Sequence, residues 1–177
     1  MNGDNKLMEM LTGYAAAHQN PVNIFVHIIG IPTIMFGALI PLSWLQTEVS
    51  GITVSLAHVL VLGFFLFYLT LDKVFVAVFV VFALLIAQLS AWVGEQPVAV
   101  SGTIAAAAFF GGYALQFIGH AVEKSMPVLV RHPIQANLAA PFFTVVEMFK
   151  ILRLRDGLFT EVQNQIAAER NQEAGSA

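Results

Sequence analysis

Five histidines and no cysteine restrict metal binding by this chain to imidazole and oxygen ligands. Thiolate sites, disulfides and a cysteine nucleophile are excluded. The histidines are unevenly placed. Tyr14 and His18 stand four residues apart, as do Asn23 and His27, with an Asn20-Pro21 turn signal between the pairs. Far along the chain, Gln116, His120 and Glu123 follow at i, i+4 and i+7, so they share one helical face. Neutral imidazoles with carboxylate and water suit Fe(II), Zn(II) or Mn(II). Two histidines, one carboxylate and open positions form the donor set of non-haem Fe(II) oxygenases. Tyr14, Asn23 and Gln116 are candidates for the outer hydrogen bonds that fix each imidazole tautomer.

Residues this distant in sequence meet only if the intervening elements bring them together. Hydrophobic residues make up 58% of the 177 residues and charged residues only 11%, against about 25% charged in soluble domains. Between Leu11 and Val122 the only formal charges are Glu48, Asp72, Lys73 and Glu95. Such a chain cannot cover a soluble surface, and an all-α membrane bundle is expected. A bilayer core of about 30 Å takes about 20 apolar helical residues. Four stretches qualify: Ile28–Leu45, Ile52–Leu71, Val74–Val93 and Val98–Ile118. All four are read as helices because backbone polar groups in hydrocarbon must be satisfied within the segment. Pro32 and Pro41 should kink the first or make it partly re-entrant.

All eight Lys and Arg residues fall on one side of this four-span arrangement, while Glu48 and Glu95 mark the other. By the positive-inside rule both termini are then cytoplasmic, in what is expected to be a bacterial inner membrane. His18, His27, Asp72, His120 and Glu123 all land on that cytoplasmic face. This convergence is the main functional signal. Residues 1–155 are expected to form the membrane-embedded catalytic domain and 156–177 a cytoplasmic helix with a disordered tail from Asn171. Leu7–His18 reads as a short helix, and Pro133–Leu152, broken by Pro141, as a helix lying in the interface.

Blander readings stand beside these. Asp72-Lys73 also serves as a turn with a positive anchor, and Glu123-Lys124 as a solvated pair. His58, alone within the second span, reads as a helix-packing residue, and His132 as a head-group contact. The Phe64, Phe65, Phe67 and Phe75, Phe79, Phe82 stripes are core or lipid-facing. No mid-membrane histidine pair supports haem. The net charge of −3, without a basic stripe, excludes a nucleic-acid partner. Met1 to Met10 lacks the order of a cleaved signal peptide, so the chain is expected to keep its start.

The string Tyr14-x3-His18-x-Asn20-Pro21-x-Asn23-x3-His27-x2-Gly30-x-Pro32 resembles the 2-hydroxy fatty acid dioxygenase family. So do Gln116-Phe117-Ile118-Gly119-His120-x2-Glu123-x3-Pro127 and Ala140-Pro141-Phe142-Phe143 followed by Glu147. The likeness runs roughly from Leu7 to Leu152, and Arg131-His132 falls outside the pattern. It implies an Fe(II) enzyme of fatty-acid α-oxidation that shortens a 2-hydroxy fatty acid by one carbon with O2. It also implies that His18, His27 and His120 bind the iron, with Glu123 and Asp72 as further candidates.

The residues themselves suit an amphiphile whose acyl tail stays among apolar side chains while its head reaches the interface. Lys124, Arg131 or Lys73 could neutralise a carboxylate there, with Asn23 as a further contact. Expected partners are a fatty acyl substrate, membrane lipid and O2. A Zn-dependent lipid hydrolase would use the same ligands without oxygen. A small transporter would place its polar residues near the bilayer midplane, where only His58, Gln88 and scattered Ser and Thr lie. Gly111-Gly112 and the Ala105–Ala108 run could serve packing within or between subunits, so oligomeric state stays open.

Overall fold

Asn20 and Pro21 open the first long helix. The Asn20 side chain accepts from the Val22 amide at 2.9 Å and Pro21 takes the first helical position, where its missing N–H costs nothing. The computed structural model describes residues 3–131 and 133–175. Among these it contains eight helices and one β-hairpin. α1 is Gly3–Ala17 and α2 is Pro21–Ser43. At 23 residues, α2 rises about 35 Å, enough to cross a bilayer core. It runs continuously through Pro32 and Pro41 rather than re-entering.

The second expected span is shorter than its hydropathy implies. β1 (Gln46–Val49) and β2 (Ile52–Ser55) pair antiparallel, with Val49 opposite Ile52. Ser50 and Gly51 between them both take positive φ, 53° and 79°, as tight hairpin turns require. Ile52-Thr53-Val54 therefore starts a strand, matching its β-branched side chains. α3 begins only at Leu56 and ends at Tyr68, 13 residues, about 20 Å. Three helices are long and apolar enough to span a membrane, α2, α4 (Lys73–Gly94) and α5 (Val98–Glu123), with α3 a shorter apolar helix. His58 is consequently not a mid-span packing residue. Its Nδ1 accepts from the Ser55 amide at 3.2 Å and pairs with Ser55 Oγ at 2.8 Å, capping α3.

α2 and α5 lie against each other along their lengths in opposite directions. Glycines at a seven-residue spacing form the seam. A Cβ on Gly37 would come within 2.5 Å of the Phe109 amide and 2.7 Å of the Ala105 carbonyl. One on Gly112 would come within 2.8 Å of the Gly30 carbonyl, and one on Gly119 would strike Asn23. Small residues allow this approach, and dispersion across it holds the pair. α4 also packs on α2, where Ser90 Oγ donates to the Phe36 carbonyl at 3.2 Å.

After the short α6 (Val128–Arg131), α7 (Pro133–Ile151) packs on α2 and α4. Pro141 does not break α7; it is buried within it. Its Phe142 and Phe143 join Tyr68, Phe75 and Phe79 in an aromatic core. α8 (Asp156–Gly175) continues beyond Asn171, where a disordered tail is expected, and packs on α1 through Val162 and Ile166. Leu85, Leu89, Phe110 and Ile118 point outward, as they would toward lipid. The chain is a helical integral membrane protein.

Candidate metal centre

Because α2 and α5 are antiparallel neighbours, the start of one meets the end of the other. His27 sits in the second turn of α2, His120 in the last turn of α5, and His18 in the link between α1 and α2. All three are buried, with 3%, 6% and 5% exposure for His18, His27 and His120. Their ring centroids lie 4.6, 5.1 and 5.0 Å apart, and one ligand atom from each falls within 4.8 Å of the others.

The outer nitrogens fix the tautomers. His18 Nδ1 donates to the Tyr14 carbonyl and His27 Nδ1 to the Asn23 carbonyl, both at 2.9 Å. These are the two four-residue spacings seen in the sequence. His120 Nδ1 bonds Ser125 Oγ at 2.9 Å. A carbonyl only accepts, so Nδ1 carries the proton in His18 and His27 and Nε2 offers a lone pair. Yet His18 Nε2 and His27 Nε2 stand 3.3 Å apart. Two lone pairs at that range repel unless a cation lies between them. A proton is disfavoured, since burial, helped by His120, lowers the His18 pKa to about 4. A metal ion fits: 3.3 Å is the chord of two bonds of about 2.0–2.1 Å meeting near a tetrahedral angle. Main-chain carbonyls behind metal-binding imidazoles are the usual second support.

Tyr14 stacks between His18 (4.0 Å, 13°) and Phe143 (3.8 Å, 6°), holding the His18 ring edge-on to the cluster. Burial, with Glu147 and Glu123 nearby, keeps its phenol well above the ordinary value and so protonated.

The carboxylates behave otherwise than expected. Glu123 is not a member of the three-imidazole cluster. One of its oxygens accepts from the Gln19 amide at 2.6 Å and the Asn20 amide at 3.0 Å, and the other from Asn23 Nδ2. It clasps the His18–Asn23 turn onto the end of α5, and Asn23 belongs to that clasp rather than to a substrate surface. Asp72 does not join the site at all. It caps α4 by accepting from the Val74 and Phe75 amides and pairs with Arg155 at 2.7 Å. Its place at a helix N-terminus, not its membrane depth, decides its partners.

Lys124 is the exposed left-handed cap of α5 and Lys73 an exposed first-turn residue of α4; neither lines the cavity described next. The Arg131 side chain and His132 lie outside the described residues. Gln116 lies at the cavity wall one turn before His120 but does not bond any of the three rings. Ser125 was not foreseen, and Phe143 was named only within the string that carries the family resemblance, not as a residue of the site. Ser125 sits in the turn after α5, where helical spacing gives no signal, and Phe143 comes from α7, read as interfacial.

The cluster opens into a cavity of about 770 Å³, within the range of small-molecule sites. His18, His27, His120, Tyr14 and Gln116 line one end. Ile31, Ile34, Met35, Ala38 and Leu39 carry it along α2, facing Leu60, Val61 and Phe64 from α3. The walls are overwhelmingly apolar. Such a space is long and apolar enough to accommodate a hydrocarbon chain.

A family described as 2-hydroxy-palmitic acid dioxygenase Mpo1-like matches residues 5–152. The 2-hydroxy-palmitic acid dioxygenase MPO1 of Saccharomyces cerevisiae is 30% identical over 147 residues, covering 82% of this chain and 81% of the yeast protein. No solved structure matches significantly. The matched span covers most of the helical domain, and all three clustered histidines fall within it: the chain belongs to the Mpo1-like 2-hydroxy-palmitic acid dioxygenase family.

Proposed function

We propose that this protein is a membrane-embedded Fe(II) dioxygenase that shortens 2-hydroxy fatty acids by one carbon. The observation that carries the reading is the cluster of three imidazoles, one ligand nitrogen from each within 4.8 Å of the others, with a long apolar cavity leading from them. His18, His27 and His120 would hold the ion, and three protein ligands leave positions open for substrate and O2. Bound iron would supply the redox chemistry of C1–C2 cleavage.

The chain's own residues do the rest. Tyr14 and Asn23 hold the Nδ1 protons of His18 and His27 through their carbonyls, keeping both Nε2 atoms free to ligate. Ile31, Met35, Leu39 and Phe64 bury the tail and exclude water from the head. Placing Lys73, Lys124 and Lys150 inside sets the cluster at the cytoplasmic face, with residues 1–155 as the catalytic domain.

The donor set alone suits Zn(II) as well, and the experiment separates the two. Protein purified in detergent is analysed for metal and given 2-hydroxypalmitate with O2. Iron near one per chain and an oxygen-dependent acid shorter by one carbon are expected, both lost in His120→Ala. Zinc with oxygen-independent turnover would replace the reading with a hydrolase.

A further inference from the structure

Gln116 is buried, 8% exposed, and its Nε2 has no hydrogen-bond partner. Of the described residues with a buried side-chain atom left without a partner, Gln116 alone lines the cavity; Thr12, Asn23 and Glu147 do not. Its carboxamide lies over the bare Cα of Gly30, where a Cβ would strike Nε2. The next turn of α5 carries His120 on the same face, and the amide and the three rings all line the cavity. An unpaired N–H sealed against Gly30 is costly, and turning the carboxamide toward the adjoining cavity is the move that would give it a partner.

The head of an acid entering this cavity meets no cationic side chain among the described residues. Among the described residues lining it, none is Lys or Arg, and the one formally charged side chain is Glu9. Asn137 also lines it, but its Oδ1 accepts from Tyr113 and its Nδ2 donates to the Pro133 carbonyl. We infer that Gln116 is the head-group contact, its carboxamide turning from Gly30 into the cavity to donate an N–H to a carboxylate oxygen of a fatty acid whose tail fills that space. The inference rests on the proposed function for the nature of the ligand and adds the residue that selects a carboxylate. Hydrogen bonds to an ionised acceptor are the stronger kind, and a neutral donor avoids burying a second charge without repelling the first.

The test is binding rather than turnover. Purified protein in detergent, with its metal content measured, is titrated under argon with palmitate, 2-hydroxypalmitate and hexadecanol. Gln116→Leu should weaken both acids about tenfold and leave hexadecanol unchanged, with metal content intact. Gln116→Glu, similar in size but charged like the ligand, should weaken the acids further. If the acids bind both variants as well as they bind the wild type, or if hexadecanol binding falls in parallel, the assignment is overturned. Should the wild type fail to shorten 2-hydroxypalmitate while the acid-specific loss persists, the head-group contact stands and the dioxygenase reading falls.

Discussion

His18 and His27 present their Nε2 atoms to each other across 3.3 Å while each Nδ1 is bonded to a main-chain carbonyl four residues earlier. The backbone thereby prepares two ligands before any ion arrives. His18→Ala, His27→Ala and His120→Ala should each lose bound metal, read by elemental analysis, without unfolding the helices. Ser125→Ala removes only the outer bond to His120 and should weaken metal affinity about 10–100-fold. Equal metal content in Ser125→Ala and wild type would show that this hydroxyl does not orient the ring.

Glu123 and Asp72 should separate cleanly, although both were candidates for the same site. Glu123 holds the turn carrying His18 through two amides and Asn23. Glu123→Ala should therefore lower metal affinity while adding no change of ligand. Asp72→Ala should keep its metal and lose about 1 kcal/mol of stability, the usual worth of a helix cap. Its pairing with the partly exposed Arg155 adds little. Metal loss in Asp72→Ala, measured on the folded protein, would contradict this assignment.

The histidine triad was legible because each member sits at the end of an apolar stretch, and alternating spans fix which ends share a face. Depth, however, does not specify lateral position. Asp72 shares the depth but starts α4, so its carboxylate turns to its own helix. The i, i+4, i+7 spacing correctly put Gln116, His120 and Glu123 on one face, yet the face curves past three partners: cavity, imidazoles and turn. The hairpin was hidden because Ile52-Thr53-Val54 is apolar enough to extend a span by hydropathy. Its turn lies in Ser50-Gly51, whose positive φ is not announced by composition. The Tyr14–Phe143 stack joins residues too far apart for any local pattern to reveal.

Gly111 and Gly112 are adjacent but should respond oppositely to alanine. A Cβ on Gly111 meets nothing within 4 Å, whereas on Gly112 it meets Ile34 Cγ1 at 2.6 Å and the Gly30 carbonyl at 2.8 Å. Gly111→Ala should raise stability by about 0.5–1 kcal/mol through helix propensity. Gly112→Ala should cost about 1–3 kcal/mol because backbone cannot yield. Thermal unfolding in detergent reads both. Similar shifts would mean that the α2–α5 seam is not closed by Gly112.

Glu147 gives the fold a pH dependence. Its carboxyl is buried and its pKa raised, chiefly by burial, with Lys150 at 3.5 Å opposing the shift and Tyr14 facing it. A raised acid binds more protons folded than unfolded, so stability falls as pH climbs from the ordinary carboxylate value through the raised one. Below that window the penalty is absent. Glu147→Gln should flatten this part of the profile and raise the melting temperature at neutral pH by a few degrees. An unchanged slope in the variant would mean that the carboxyl is not desolvated.

The far end of the cavity should set chain length. Along α2 it is lined from His27 to Leu39 and no further. The eleven-residue rise from His27 to Ala38 is about 16 Å, close to half of a bilayer core of about 30 Å, the depth one acyl chain occupies. Ala38 and Leu39 meet Leu60 and Val61 of α3 there, and α3 begins nearby because the hairpin turns the chain straight back. Ala38→Phe adds a ring where the terminal methyl would lie. Each methylene that can no longer be buried forfeits about 0.8 kcal/mol, so two or three suffice for a tenfold effect or more. The variant should turn over 2-hydroxypalmitate at least about tenfold less efficiently while keeping most activity on a 2-hydroxy acid several carbons shorter. Leu60→Ala should move the preference the other way. A uniform loss across all chain lengths in Ala38→Phe, with metal retained, would mean that the tail does not run along α2, because only an occupant ending at that wall can sense its position.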